Sequence, residues 1–280
     1  MAPWAQALVA FAVAGLLTAL GPERCAEWGW RVLFLLGAAC SLGMLGHYRT
    51  RVADAPLFHR RRRSSAAAGA GTGEVLVGRW AGAFWQVFTM MTGLWLLTDT
   101  TVLILTTSLS TDAGRPAARV SLAMGAASVA QALSMTPAGH LSTRTGRRAL
   151  LVGWGIVAAV LGPVLWRTTV FSRGLGRAAA LAGLLQVATV AAYGPVSAYL
   201  SERFPTRVRS TGYGMGYSLS LVLPALYTFY LPAARGDLRA RRPGGALLAV
   251  GVLLGPALGP GRIDDDLDTV ADASRGQDVP

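Results

Sequence analysis

The sequence contains no lysine, and charged residues of either sign make up only 14% of it. Its 26 basic residues are therefore all arginines, and with 14 acidic residues they give a formal net charge of +12. A nucleic-acid-binding protein could be this basic. Here most arginines lie at the ends of apolar runs, as basic residues do beside membrane segments. We therefore predict arginines that anchor membrane helices and no nucleic-acid partner.

Cysteine and histidine are also scarce. Cys25 and Cys40 are the two cysteines, and they offer neither a disulfide framework nor the spacing of a metal site. The three histidines His47, His59 and His140 are scattered and have no nucleophile motif beside them. The sequence therefore predicts no metal, no cofactor and no catalytic residue, and it argues against an enzyme.

Long runs without charge dominate the sequence, of which 52% is hydrophobic. A run of about 20 apolar residues crosses the hydrocarbon core of a bilayer as a helix. The sequence therefore predicts an all-α, polytopic membrane helix bundle of about eight transmembrane helices, with the lipid bilayer as its partner. The runs are Trp4–Leu20, Val32–Gly46, Trp80–Leu109, Val120–Ala138, Ala149–Trp166, Ala178–Leu200, Gly212–Ala234 and Pro243–Gly261.

Charge divides the chain into four segments. Residues 1–48 hold two helices, and residues 49–79 form an Arg-rich, flexible central loop. Residues 80–261 hold six further helices, and residues 262–280 form an acidic tail predicted to be disordered. Because arginines are retained on the cytoplasmic side, the central loop predicts that both termini are cytoplasmic.

Two short polar segments between apolar runs carry recognisable motifs. The first, E-R-F-P-T-x-x-R-x-x-G, is predicted to be a tight turn, because Pro205 should end the preceding helix near Arg203. The second, Gly139–Arg148, is predicted to be a loop and reads G-x-x-x-T-R-x-G-R-R. Their motif residues are Glu202, Arg203, Pro205, Arg207, Arg209 and Gly212 in the first, and Gly139, Arg144, Gly146, Arg147 and Arg148 in the second.

Both motifs resemble cytoplasmic loops of major facilitator superfamily transporters, and the metabolite–proton symporter and sugar-porter-like branches in particular. The first resembles the loop between helices ten and eleven, and the second the loop between helices eight and nine. In the second motif Thr143 stands where the family usually has an aspartate. Mapped onto the family, the eight runs resemble helices five to twelve, so the first four helices have no counterpart in this sequence.

The resemblance implies secondary active transport of a small polar solute, a metabolite or sugar-like compound, by proton-coupled symport. It also implies alternating access around a midplane site and a location in the plasma or inner membrane. The alternative is a truncated, non-transporting membrane fragment or a partner subunit of a transporter.

Polar and aromatic residues within the runs are the candidates for a solute or proton pathway. An acidic residue inside a membrane helix often marks such a pathway, although Asp99 could instead lie near the outer end of a shorter helix. Each of the others could equally pack against a neighbouring helix. The candidates are Asp99, Gln86, Trp95, Gln131, Gln186, Tyr193 and Tyr217.

Overall fold

The computed structural model describes residues 2–51, 72–204, 208–226 and Phe229. In this part of the chain the regular structure is helical and no strand occurs, which confirms the all-α prediction. The helices, numbered in chain order, are α1 Ala2–Arg24, α2 Trp30–Arg51, α3 Thr72–Leu76, α4 Ala81–Asp99, α5 Leu105–Thr107, α6 Ala117–Thr145, α7 Arg147–Val170, α8 Leu175–Val190, α9 Tyr193–Glu202, α10 Arg209–Leu219 and α11 Val222–Ala225.

Four helical stretches in the described residues are long and apolar enough to cross a membrane. They are Pro3–Thr50, Ala81–Thr111, Arg147–Val170 and Leu175–Glu202. The first contains two of the predicted runs, and the predicted run Val120–Ala138 lies inside α6, which is not one of the four. The count of about eight transmembrane helices therefore stays a prediction.

Several predicted features lie outside the described residues. They are most of the central loop, the last run Pro243–Gly261, the acidic tail, and Pro205 and Arg207 in the first motif. At its end, the segment predicted as a flexible linker forms the short helix α3, in which Val75 is completely buried.

The N-terminal helices α1 and α2 are joined through a π-helical turn at Cys25–Gly29. Within α1 the chain bends at Gly21, whose φ of 78° lies in the left-handed region that glycine adopts without strain. α1 packs against α6, where the Phe11 ring fills the space beside Gly125. α2 is exposed along nearly its whole length.

The stretch Ala81–Thr111 stays helical past the end of α4 because π-helical turns at Thr100–Ile104 and Ser108–Asp112 continue it. Threonine and serine hydroxyls along this stretch donate to carbonyls one turn earlier. The Thr100 hydroxyl donates to the Leu96 carbonyl at 2.7 Å, and the Thr111 hydroxyl donates to the Thr107 carbonyl at 2.7 Å. This back-bonding gives each hydroxyl a partner within its own helix, so that no neighbouring helix has to supply one.

The second motif is not the loop that the sequence predicted. α6 continues through Pro137 to Thr145, so Gly139 and Arg144 are helical. The turn is confined to Gly146, whose φ of 85° requires glycine, and α7 begins at Arg147. Gly139 instead lies where α6 crosses α9. A Cβ on Gly139 would meet the Gly194 carbonyl oxygen at 3.9 Å, an ordinary contact.

Two larger apolar clusters of the described residues lie at opposite ends of the helix Ala81–Thr111, and Leu97 with Ala158 forms a third, small one. The first packs α4 against α7, α9 and the turn that follows α9; it includes Phe84, Met91, Leu151, Leu200 and Phe204. The second packs α5 against α6 and α8; it includes Leu105, Leu109, Met124, Ala182 and Leu185. The first cluster borders a cavity, whose lining it shares through Val196 and Leu200.

Candidate functional site

A cavity of about 220 Å³ lies among α1, α4, α6, α8, α9 and α10. Its lining is mostly apolar and aromatic, with a few neutral polar groups, as is typical of small-molecule sites. None of the described lining residues is charged. They are Pro3, Gln6, Trp95, Thr98, Gln131, Met135, Val190, Tyr193, Val196, Ser197, Leu200, Tyr213 and Tyr217.

The cavity lies at mid-length of α6 and of the helix Ala81–Thr111, and beside the start of α1. Trp95 is the fifteenth of the 31 residues in Ala81–Thr111. Gln131 is likewise the fifteenth of the 29 residues in α6. Since a helix rises 1.5 Å per residue, both side chains stand more than about 20 Å from either end of their helix. A ligand bound here would lie deep within the bundle.

Four aromatic rings form a connected group on the cavity wall. The Trp95 ring lies 5.9 Å from the Tyr193 ring and 5.5 Å from the Tyr217 ring, measured between centroids. The Tyr213 and Tyr217 rings are stacked at 5.9 Å. The plane of the Trp95 ring is inclined at 59° to that of Tyr193 and at 75° to that of Tyr217. We call Trp95, Tyr193, Tyr213 and Tyr217 the aromatic cluster.

Two polar atoms of the lining residues are buried without a hydrogen-bond partner. They are the indole nitrogen Nε1 of Trp95 and the amide oxygen Oε1 of Gln131, whose side chain is only 2% exposed. By contrast, the hydroxyls of Thr98 and Tyr193 are hydrogen-bonded to each other at 3.3 Å. Both atoms are covered by neighbouring side chains, and a buried donor or acceptor without a partner is costly. A side-chain rotation that brings either atom to the cavity surface would let a polar ligand satisfy it.

The cavity brings together four of the seven predicted pathway residues, namely Trp95, Gln131, Tyr193 and Tyr217. Gln186 lies outside the lining, where its Oε1 accepts a weak hydrogen bond of 3.4 Å from the Ser128 hydroxyl. Asp99 is half-buried and is not a lining residue, although it directly follows Thr98, which is.

Gln86 lies on α4 and belongs to a different polar cluster, beside the turn that follows α9. Its amide nitrogen donates to the Tyr199 hydroxyl at 3.1 Å, and its amide oxygen accepts a hydrogen bond from the Arg203 guanidinium. The side chains of Gln86 and Arg203 are both buried. Gln86 therefore connects α4 to the first motif, which the sequence did not indicate.

Sequence reasoning missed Thr98, Tyr213 and the N-terminal residue Gln6, all of which line the cavity. Helical spacing carried a usable signal for two of them. Thr98 lies three residues after Trp95, and Tyr213 lies four residues before Tyr217, so each shares a helix face with a predicted candidate. No comparable signal pointed to Gln6.

The two motifs meet at one end of the bundle. The Arg147 guanidinium at the start of α7 forms an ion pair of 2.9 Å with Glu202 at the end of α9. Arg209 donates from Nε to the Phe204 carbonyl at 3.1 Å, which spans the turn of the first motif. A Cβ on Gly212 would lie 2.6 Å from the Phe204 ring, so glycine is required there.

The remaining motif residues are more peripheral. Arg144 and Arg148 flank the turn at Gly146 and are exposed. α9 ends at Glu202, as predicted from the position of Pro205. Arg144 and Arg148 are free to contact solvent or headgroups.

Comparison with known proteins gives one informative relative. The chain is 26% identical over 225 residues to the inner membrane metabolite transport protein YhjE of Escherichia coli (strain K12). The match covers 76% of this chain and 49% of that protein, so the chain spans about half the length of the relative it matches. No family model and no solved structure matches the chain. The apolar helices and this distant relative together support a multi-pass membrane protein.

Proposed function

We propose that this protein takes part in proton-coupled secondary transport of a small polar solute, and that the cavity is the solute site. The observation that carries the proposal is the pair of unpartnered polar atoms, Trp95 Nε1 and Gln131 Oε1, beside a cavity at mid-length of the two helices that bear them. Transporters of the alternating-access type bind solutes near the bilayer midplane between two helix bundles. The distant relative, a metabolite transport protein, supports the same class.

The proposed roles divide among the cavity residues by chemistry. Gln131 accepts a hydrogen bond from the solute, and Trp95 donates one through Nε1. Thr98 and Tyr193 hold each other in place, which positions the aromatic wall. These neutral groups orient a solute without supplying a charge of their own.

Asp99 is the proposed proton carrier. It stands twelve residues before the end of the helix Ala81–Thr111, about 18 Å along the axis at 1.5 Å per residue. The helix therefore extends well past Asp99, which favours a position inside the membrane over one near the outer surface. Intramembrane carboxylates commonly serve as proton relays.

Uptake into liposomes tests this function. The full chain would be reconstituted and assayed with labelled hexoses, monocarboxylates, dicarboxylates and methylated amines, with and without an inward proton gradient. We expect uptake of one class that the gradient stimulates and that Gln131→Met lowers at least tenfold. Gln186→Met is the matched control, because Gln186 lies outside the cavity, and it should leave uptake unchanged.

The outcomes separate the parts of the proposal. If uptake by the Asp99→Asn variant still depends fully on the proton gradient, Asp99 has no role in coupling, and the proposed transport function stands. Uptake that Gln131→Met leaves intact would remove the cavity as the solute site. A folded chain that takes up none of these solutes would favour the alternative, a non-transporting fragment or partner subunit, which its 49% coverage of the relative also makes worth testing.

A further inference from the structure

We propose that the cavity is built for a compact organic cation, such as a methylated ammonium group, held by the aromatic cluster. This inference rests on the proposed function and specifies its solute class. It follows from three features of the lining: the angles between its rings, the charge of its side chains and the position of Asp99.

The ring geometry suits a compact group better than a flat one. Tyr217 and Tyr193 meet Trp95 at 75° and 59°, so the three rings lie in different planes. A planar solute ring can stack on one such plane but not on several steeply inclined planes at once. A roughly spherical methylated ammonium can contact each ring, and aromatic cages of this kind recognise quaternary ammonium through the negative ring faces.

The charge of the lining argues in the same direction. The sequence has 26 arginines, yet the cavity's described lining contains none of them. An anionic solute held among these side chains needs a cationic or strongly donating partner. The donors and acceptors of the lining are neutral side chains, chiefly those of Gln6, Thr98, Gln131 and Ser197. Such a lining does not compensate a carboxylate or phosphate.

Asp99 completes the arrangement as a nearby counter-charge. It lies outside the lining but interacts electrostatically with Tyr193 of the aromatic cluster, which is hydrogen-bonded to the lining residue Thr98. Cations inside a membrane protein pair with acidic groups or with π faces. A site with an aromatic wall and one carboxylate close by therefore favours a single positive charge.

The test compares choline with its neutral carbon isostere, in which a tert-butyl group replaces the trimethylammonium. The two have nearly the same shape, so a difference in binding reports the charge. Binding of labelled choline to the detergent-solubilised full chain would be measured by equilibrium dialysis, and each compound would then compete for the site. We expect choline to compete roughly tenfold or more better than the isostere.

Variants locate the effect in the aromatic cluster. Trp95→Leu should abolish the preference for choline. Trp85→Leu is the control, because Trp85 lies on the same helix but is 53% exposed and outside the cavity. Tyr217→Phe keeps the ring and should retain the preference, whereas Tyr217→Leu should weaken it. If Trp95→Leu does not fold, as judged by its melting curve, the Tyr217 pair decides.

Three results would overturn the inference. The isostere could compete as well as choline, or the preference could survive in both Trp95→Leu and Tyr217→Leu. Glucose or succinate could also bind in a Gln131-dependent way while choline does not. That last result would keep the cavity as a solute site and reject the cation, so the two proposals fail separately.

Discussion

Two glutamines in this bundle each have a buried polar atom without a hydrogen-bond partner, but in different surroundings. Gln131 has a buried oxygen without a partner, and Gln186 has a buried amide nitrogen without one. Gln131 lines the cavity, whereas Gln186 is enclosed between α6 and α8 and is completely buried. The unpartnered Gln131 oxygen lowers stability, but it lies beside a cavity where a bound solute would supply the missing hydrogen bond.

Replacing the two amides distinguishes a role in solute binding from a role in helix packing. Gln131→Met and Gln186→Met nearly keep the side-chain volume and remove a buried unpartnered group. Gln131→Met should raise stability by about 1–3 kcal/mol, and Gln186→Met should raise it less because it also removes the hydrogen bond from Ser128. Only Gln131→Met should weaken solute binding. Melting curves and binding on the same detergent-solubilised samples would check both. A lower melting temperature for Gln131→Met without solute would show that its oxygen has a partner.

The polar contacts around the end of α9 should differ in how much they contribute to the stability of the fold. The Arg147–Glu202 ion pair is partly exposed, with the side chains 28% and 37% accessible, and exposed pairs contribute less than about 1 kcal/mol. Gln86 is a hydrogen-bond partner of a buried arginine, Arg203. Hydrogen bonds to buried charged groups are worth about 1.5–3 kcal/mol.

Glu202→Gln and Gln86→Leu compare these two contributions. We expect Glu202→Gln to change the melting temperature little and Gln86→Leu to lower it clearly, because the latter removes a partner of buried Arg203. Unfolding of both variants in the same detergent provides the measurement. Equal losses would mean that the ion pair is as important as the buried contact.

At the scale of helices, α6 and α9 cross with their backbones close together. Gly194 stands so near α6 that a Cβ on it would lie 2.5 Å from the Met135 carbonyl oxygen. Gly139 faces it from α6 with room to spare. Small residues at such a crossing let membrane helices pack closely. The crossing also fixes Met135 and Tyr193, which line the cavity on either side of it.

Alanine at the two glycines should therefore give unequal results. Gly194→Ala forces backbone atoms apart, and overpacking of this kind costs about 1–3 kcal/mol. Gly139→Ala adds only an ordinary contact and should be tolerated, although Gly139 is the motif residue. Melting temperatures of both variants would be compared with that of the original chain. A destabilised Gly139→Ala beside a tolerated Gly194→Ala would contradict the crossing geometry.

Helix positions were predictable from the sequence to the extent that local chemistry decides them. Pro205 cannot continue a helix, so the end of α9 at Glu202 followed from its position. The end of α6 did not. Gly139 and Gly146 look alike in a polar segment, but only Gly146 adopts a positive φ, because packing against Gly194 keeps the chain helical at Gly139.

The cavity was only partly predictable for a related reason. Seven polar or aromatic residues in apolar runs were equivalent candidates, because hydropathy does not say which way a helix is rotated. The rotation is set by contacts between distant segments, such as the rings of Trp95 and Tyr217. Those contacts select four of the seven and add Tyr213 and Thr98.

For the molecule as a whole, polar contacts tie the turns together at two opposite ends of the bundle. At one end, Arg147 beside the Gly146 turn pairs with Glu202. At the other, Arg115 donates to the Ser172 carbonyl at 2.6 Å and so joins the turn before α6 to the turn after α7. Since α7 separates these ends, the turn at Gly146 and the turn at Ser172 should face opposite sides of the membrane.

Single cysteines in these turns test both the separation and the predicted orientation. In a background with Cys25 and Cys40 replaced by serine and alanine, Thr145→Cys should react with an impermeant maleimide only in inside-out vesicles, because arginine-rich turns are retained on the cytoplasmic side. Arg173→Cys should react only in right-side-out vesicles, since about 24 residues of α7 lie between the turns. Permeabilised vesicles, in which both should react, provide the control. Reversed labelling would mean that α7 crosses the membrane in the orientation opposite to the predicted one. Labelling of both cysteines from one side would show that α7 does not cross the membrane.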